Sequence, residues 1–191
     1  MSYKVKVGIS NKHMHITKED LETLFGEGYE LTLFKALGQP GQYASNEKLD
    51  VVGPKGTLSG IRILGPVRPS TQIELSMSDA RSIGINAPIR ESGDVAGSPG
   101  CKLVGPKGEL EIKEGVIVAL RHIHLTEGEA KDACVKDKDY VSLKFEGPRA
   151  VTFDNVLIRV NVNYSGEAHL DTDEGNAGCV NTGDMGEIVR G

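Results

Sequence analysis

Two short motifs occur twice in this chain, and their order constrains how it can fold. His13-Met14-His15-Ile16-Thr17 returns as His122-Ile123-His124-Leu125-Thr126, and Val52-Gly53-Pro54-Lys55-Gly56 returns as Val104-Gly105-Pro106-Lys107-Gly108. Recurrence on this scale marks a repeated structural unit. The order is reversed between the halves: the His pair precedes Gly-Pro-Lys-Gly in the first and follows it in the second. This pattern predicts two similar small β-domains with the first strand exchanged between them. Residues 1–11 would join 120–191 in one domain, and residues 12–119 would form the other. At 191 residues the chain is long enough to bury two cores without disulfide staples.

Most of the sequence reads as short strands between glycine turns. Val5, Val7 and Ile9 alternate with polar residues, as do Ile73, Leu75 and Met77 with Gln72, Glu74 and Ser76. Further strand-like runs cover 49–52, 58–64, 109–120, 140–145 and 150–162, and the 24 glycines supply turns between them. The expected fold class is therefore mainly β: two small β-barrels with a few short capping helices, related by internal duplication. Gly-Pro-Lys-Gly reads as a β-turn with Pro in its second position. A phosphate cradle is the lesser reading, because neither GxxxxGK[ST] nor GxGxxG occurs. Helix starts are expected at Thr17, where Asp20 completes a capping box before Leu21, Leu24 and Phe25, and at Thr126 before Ala130 and Ala133. Asp79 is expected to cap a third helix running to Ile83.

Charge and composition exclude several functions. The 22 Lys+Arg against 27 Asp+Glu give a net charge of -5, which disfavours a nucleic-acid partner. The lack of Trp and an aromatic content of 5% argue against stacking platforms for single strands. The longest apolar run, Val116 to Leu120, is too short to span a bilayer, and no secretory signal opens the chain. Cys101, Cys134 and Cys179 show no CxxC spacing and read as reduced thiols of a cytoplasmic protein.

The histidines carry the chemistry. Four of the five lie in the two His-x-His pairs. Chance would give about 0.1 such pairs in a chain of this composition, so the pairs are a signal. On a strand, residues i and i+2 share a face, and two imidazoles can then reach one ion. Imidazole suits Zn, Fe, Ni and Cu, with zinc the default where no other redox feature exists. His169 is a further candidate ligand. A carboxylate is expected to offset the charge of two ions, and Glu74, Glu91, Asp94, Asp171 and Asp173 are all candidates that spacing does not separate. Asp171-Thr172-Asp173-Glu174 reads equally well as a helix cap. Arg62, Arg68 and Lys35 are candidates for binding an anionic substrate. No GxSxG elbow or activated cysteine points to a protein nucleophile. These residues describe a β-rich metalloenzyme with two metal ions and an anionic substrate.

Several stretches closely resemble the PduL-type phosphotransacylases, or phosphate propanoyltransferases. They are Gly8-Ile9-Ser10-Asn11-Lys12-His13-Met14-His15, Gln39-Pro40-Gly41-Gln42-Tyr43-Ala44, Val52-Gly53-Pro54-Lys55-Gly56, Leu64-Gly65-Pro66-Val67-Arg68, Thr71-Gln72-Ile73-Glu74-Leu75-Ser76, Arg90-Glu91-Ser92-Gly93, Gly97-Ser98-Pro99-Gly100, Arg121-His122-Ile123-His124 and His169-Leu170-Asp171-Thr172-Asp173-Glu174. The resemblance implies transfer of a propanoyl or acetyl group between coenzyme A and inorganic phosphate, as in propanediol degradation, on a fold of two β-barrels. It implies two zinc ions per chain, one on His13, His15 and Glu74, the other on His122, His124 and His169, with Glu74 between them. It places the phosphate contact on Arg68 and the coenzyme A contacts on Ser10, Lys35, Arg62, Leu64, His169 and Asn176. Coenzyme A, acyl phosphate and phosphate are the implied partners, with a homo-oligomer and bacterial microcompartment enzymes as further partners of the family. Lys12 stands where the family has Arg, and Gly175 where it has Ala. The amphipathic N-terminal helix that directs some members into a microcompartment is not seen ahead of the first strand, so a free cytoplasmic enzyme is expected. The alternative reading is a zinc hydrolase of a thioester or phosphate ester, and a third is a metal-binding module without catalysis.

Overall fold

The structure is a computed structural model that describes residues 3–190. From the N-terminus its elements are β1 (Tyr3–Ser10), β2 (His13–His15), α1 (Lys18–Phe25), β3 (Leu33–Ala36), β4 (Tyr43–Gly53), β5 (Gly56–Gly65), β6 (Gln72–Glu74), α2 (Met77–Ser82) and β7 (Ile89–Arg90). They continue with β8 (Cys101–Val104), β9 (Glu109–Ile112), β10 (Val116–Ala119), β11 (His122–Leu125), α3 (Glu127–Asp132), β12 (Tyr140–Phe145), β13 (Val151–Val160), β14 (Glu167–Asp171), α4 (Thr172–Gly178) and β15 (Met185–Val189). The chain is mainly β, as expected, with four short helices among the described residues. None of these helices is long and apolar enough to cross a membrane.

Contacts divide the chain into two compact units. One holds the described residues up to Asn11, Gly38–Pro40, and those from Leu120 onward; the other holds Lys12–Leu37 and Gly41–Ala119. The first unit is a closed six-stranded barrel in the order β1-β14-β11-β13-β12-β15. β1 runs parallel to β14 and antiparallel to β15, so the N-terminal strand pairs with the C-terminal part of the chain. Ser2, the expected first residue of that strand, lies outside the described residues. Val5, Val7, Ile123, Leu125, Leu143, Ile158 and Leu170 fill this barrel. The second unit is a half-barrel rather than a closed one, in the order β7-β10-β6-β2-β5-β4-β8-β9 with β3 on β4. Its separate core contains Met14, Ile16, Leu21, Leu49, Ile61, Ile63, Ile73 and Leu103.

Both Gly-Pro-Lys-Gly stretches are hairpin tips, the first joining β4 to β5 and the second β8 to β9. Both belong to the half-barrel unit. Each closes on a helix end: Lys55 N donates to Ile83 O at 3.0 Å, and Lys107 N to Leu24 O at 3.0 Å. A Cβ at Gly105 would lie 2.7 Å from Leu24 O and one at Gly108 2.9 Å from Thr23 O, so the close approach requires glycine. The motif recurs because the same tip-to-helix contact is built twice.

Three local expectations are corrected. Ser76, not Asp79, caps α2, because the Ser76 side chain accepts from Asp79 N. At α1, Thr17 caps as expected, but the Asp20 carboxylate accepts from the Thr71 hydroxyl in place of completing the box. The run 109–120 breaks into β9 and β10, turning at Gly115 with φ 137.

Candidate metal centres

The His pairs sit on β2 and β11, and alternation fixes what each strand presents. Met14 and Ile123, the residues between the histidines, are fully buried in the two cores. The flanking imidazoles therefore share the opposite face. Each strand has the same neighbours by direction. β2 lies parallel to β5 and antiparallel to β6, while β11 lies parallel to β13 and antiparallel to β14. In each unit the antiparallel neighbour brings a third donor opposite the first histidine: Glu74 faces His13, and His169 faces His122. Two residues beyond the last donor of each strand comes a helix cap: Thr17, Ser76, Thr126 and Asp171. The same strand-then-helix unit thus builds all four donor-bearing strands.

The result is two groups, His13 with His15 and Glu74, and His122 with His124 and His169. The donor atoms within each group all lie within 4.8 Å of one another. In the first, Glu74 Oε2 is 3.4 Å from His13 Nε2 and Glu74 Oε1 is 3.8 Å from His15 Nε2. His15 Nδ1 lies 3.2 Å from Leu64 O, and His122 Nδ1 lies 2.8 Å from Leu120 O. A ring N–H given to those carbonyls leaves Nε2 basic in both residues. Glu74 is further held by Gln72 Nε2, which donates to its Oε1 at 2.5 Å, and by the Ser92 hydroxyl at 2.8 Å.

The electrostatics fit a cation at both places. Burial pushes His15 down to about 3, helped by His13 and Arg68 and opposed by Glu74 and the Leu64 carbonyl. Burial alone would push Glu74 up, but His13, His15 and Ser92 hold it well below the usual carboxylate range. His15 is neutral at pH 7 and cannot itself supply the positive charge that a buried carboxylate needs. In the second group, burial followed by His122, His169 and Arg159 drives His124 far below the ordinary imidazole value. Both His124 ring nitrogens are buried without a hydrogen-bond partner, a costly arrangement that metal ligation would relieve at one of the two. Imidazole and carboxylate donors in threes fit a transition-metal ion such as zinc.

The other candidates fall into place around these groups. Arg68 Nη1 reaches Ser92 Oγ at 3.4 Å, so one hydroxyl joins Arg68 to Glu74. Arg62 lies opposite His13 on β5, donates to Ser45 O, and has its guanidinium 4.3 Å over the Phe34 ring. Lys35 is exposed on β3, and Leu64 supplies the carbonyl that holds His15. These three belong to the half-barrel unit; Ser10 on β1, His169 on β14 and Asn176 on α4 belong to the barrel unit. Of the other carboxylates, Asp171 caps α4, Asp173 lies in its first turn, and Asp94 pairs with Arg90 at 2.9 Å. Glu91 is in neither donor group.

Sequence reasoning missed the residues that contact the donors, Gln72, Ser92, Tyr164 and Glu167, and Gln39, which braces the segment carrying two of them. Tyr164 stacks on His124 with ring centroids 4.1 Å apart. Glu167 Oε2 lies 3.5 Å from His169 Nε2. Gln39 hooks Ser165 from both sides, its Nε2 donating to Ser165 O at 3.0 Å and its Oε1 accepting from Ser165 N at 3.3 Å. The spacing two residues before Glu74 and His169 was the signal available for Gln72 and Glu167.

Residues 6–181 match the family model described as phosphate propanoyltransferase. A phosphate propanoyltransferase of Thermotoga maritima is 53% identical over 185 residues, covering 96% of this chain and 88% of that protein. Proteins of the same name from Listeria monocytogenes and Priestia megaterium are 43% and 47% identical, each over 97% of this chain and 87% and 85% of their own.

Proposed function

The chain belongs to the phosphate propanoyltransferase family of acyltransferases, and from that premise we propose that it exchanges a short acyl group, propanoyl or acetyl, between coenzyme A and inorganic phosphate using two zinc ions. The supporting observation is the repeated donor geometry: three donors within 4.8 Å in each unit, reached by the same strand pairing. His13, His15 and Glu74 would hold one ion and His122, His124 and His169 the other. Bound zinc supplies Lewis acidity, favouring a thiolate over a thiol and polarising a carbonyl.

The chain's own residues do the rest. Arg68 holds the phosphate group, since its guanidinium offers a planar pair of donors that match two phosphate oxygens. Ser92 fixes that guanidinium and Glu74 through one hydroxyl. Lys35 and Arg62 meet the phosphates of coenzyme A, with Ser10, Leu64, His169 and Asn176 as its further contacts. The coenzyme A thiolate attacks the acyl carbonyl carbon directly; the carbon–sulfur bond forms, the bond from that carbon to the phosphate oxygen breaks, and phosphate leaves. In reverse, a phosphate oxygen attacks the thioester and the thiolate departs. No acyl-enzyme forms, for burial pushes Cys101 up to about 12, and neither Cys134 nor Cys179 is in a donor group. Three free thiols suit a reducing, cytoplasmic setting.

The test is propanoyl phosphate or acetyl phosphate with coenzyme A, following thioester absorbance and free phosphate together. Stoichiometric thioester and phosphate are expected, with activity lost to a chelator and restored by zinc. Phosphate release without thioester would overturn the transferase reading in favour of a hydrolase.

A further inference from the structure

The two centres repeat one register, and the repeat assigns a residue that neither the resemblance nor the comparisons give a role. On β6, Glu74 faces His13 and Gln72 faces His15. On β14, His169 faces His122 and Glu167 faces His124. Gln72 and Glu167 are the same position of the repeat, two residues before the third donor. Each touches that donor: Gln72 Nε2 donates to Glu74 Oε1 at 2.5 Å, and Glu167 Oε2 lies 3.5 Å from His169 Nε2.

The chemistry at this position inverts with the donor it supports. A carboxylate donor needs an N–H given to it, and the Gln72 amide supplies one. An imidazole donor brings no negative charge to a cation, and a carboxylate beside it does. We propose that Glu167 is the positioning residue of the three-histidine centre, orienting His169 through Nε2 and supplying that centre with the one negative charge the other has in Glu74. Glu167 is not among the three residues whose donor atoms lie within 4.8 Å, so it acts through His169. At 3.5 Å Glu167 Oε2 and His169 Nε2 form an ion-pair contact rather than a hydrogen bond, so the carboxylate acts on the ring by its charge. This arrangement, a carboxylate behind a ligating histidine, orients the ring and raises its basicity.

The surroundings are built to hold that carboxylate. A Cβ at Gly38 would lie 2.8 Å from Glu167 Oε2, and one at Gly8 would lie 3.1 Å from its Oε1, so two glycine backbones close around it. The Gln39 hook on Ser165 fixes the segment entering β14 from the same side as Gly38 in sequence. Gly166 is closed over by the Glu129 carboxylate, where a Cβ would clash. Tyr164, in the same segment, stacks on His124. The stretch from Tyr164 to Glu167 therefore contacts two of the three histidines.

The inference rests on the two-zinc reading, and zinc titration of the whole chain against a chromophoric chelator separates the two. The parent should take up two equivalents. Glu167→Gln keeps the shape and removes the charge; it should weaken one equivalent about 10–100-fold and leave the other unchanged. Gly38→Ala should weaken the same equivalent, because the new Cβ displaces the carboxylate at full charge. With cobalt in place of zinc, Glu167→Gln should shift the visible absorption of one ion of the two. Metal-free melting of Glu167→Gln should match the parent, which a purely structural role would not allow. The proposal is overturned if Glu167→Gln binds both equivalents as tightly as the parent, weakens both alike, or melts lower without metal. A parent that takes up fewer than two equivalents overturns the two-zinc reading itself, and this inference with it.

Discussion

Ser92→Ala tests whether the hydroxyl between Arg68 and Glu74 tunes the His13–His15–Glu74 centre. In the structure Ser92 Oγ donates to Glu74 Oε1 at 2.8 Å and accepts from Gln72 Nε2 at 3.0 Å and Arg68 Nη1 at 3.4 Å. The variant removes one hydrogen bond to a charged acceptor, worth about 1.5–3 kcal/mol. Ser92 is half-buried, so water reaches part of the vacated space and the lower end applies. About 1.5 kcal/mol is roughly tenfold in affinity. Gln72→Leu should cost more, about a hundredfold, because it also strips the 2.5 Å donor from Glu74 and the acceptor of Gly93 N at 2.7 Å. The assay is zinc competition with a chromophoric chelator at fixed pH, read for each equivalent. Only one equivalent should weaken. The same variant frees the Arg68 guanidinium from one anchor, so KM for phosphate should rise as zinc affinity falls. An unchanged zinc affinity in Ser92→Ala, or equal weakening at both centres, would refute the reasoning.

Four further outcomes are expected. Arg68→Lys should lower kcat on the order of 100-fold, since an ammonium lacks the planar pair of donors, and near-normal turnover at saturating phosphate would count against the assignment. Glu174 is raised from 4.5 to about 7 by burial and by Asp171 and Asp173, against Arg121 at 3.4 Å. Its neutral form is favoured in the folded state, so its contribution is fully present below 4.5 and is lost as pH rises through 7; at about 1.36 kcal/mol per pH unit this is about 3 kcal/mol, and Glu174→Gln should flatten melting temperature over that window. Thiol labelling of the native chain should modify exposed Cys134 and Cys179 while Cys101, raised to about 12, reacts only on unfolding. Met14→Ala, which empties a fully buried site between His13 and His15, should cost about 2–5 kcal/mol in denaturant unfolding and lower zinc content with it.

The fold was legible where pattern and chemistry coincide. Alternation in Val5, Val7 and Ile9 marks β1, and the reversed order of motifs suggests its exchange, because a strand's inward residues must be apolar whichever partners it finds. What pairing adds was not legible. Nothing in the run 109–120 shows that Gly115 would take a positive φ and divide it, since its neighbours suit a strand on either side. Asp79 and Ser76 are both good caps. The choice of Ser76 follows from β6 ending at Glu74, a boundary set by the strand's pairing with β2 and β10. The half-barrel likewise depends on which edges stay unpaired, and no local signal encodes an unpaired edge.

The candidate site divides in the same way. The first two donors of each centre were legible because they are identical and adjacent: two imidazoles at i and i+2 on one strand. The third donors are not identical, one a carboxylate and the other an imidazole, and lie 59 residues after His15 in one unit and 45 after His124 in the other. Spacing therefore could not rank Glu74 above Glu91 or Asp94, and the resemblance named it. The pairing register supplies the physical reason: Glu74 and His169 both stand opposite the first histidine of a pair. A repeat of this kind conserves position and total charge rather than residue type. When the third donor is Glu74, its neighbour Gln72 is neutral; when it is His169, its neighbour Glu167 carries the charge. Exchanging only one member of such a couple breaks the balance. Gln72→Glu, for instance, would set a second carboxylate against Glu74 with one ion to serve both. The sequence shows each couple as two unremarkable polar residues, and their complementarity emerges only when the strands are laid side by side.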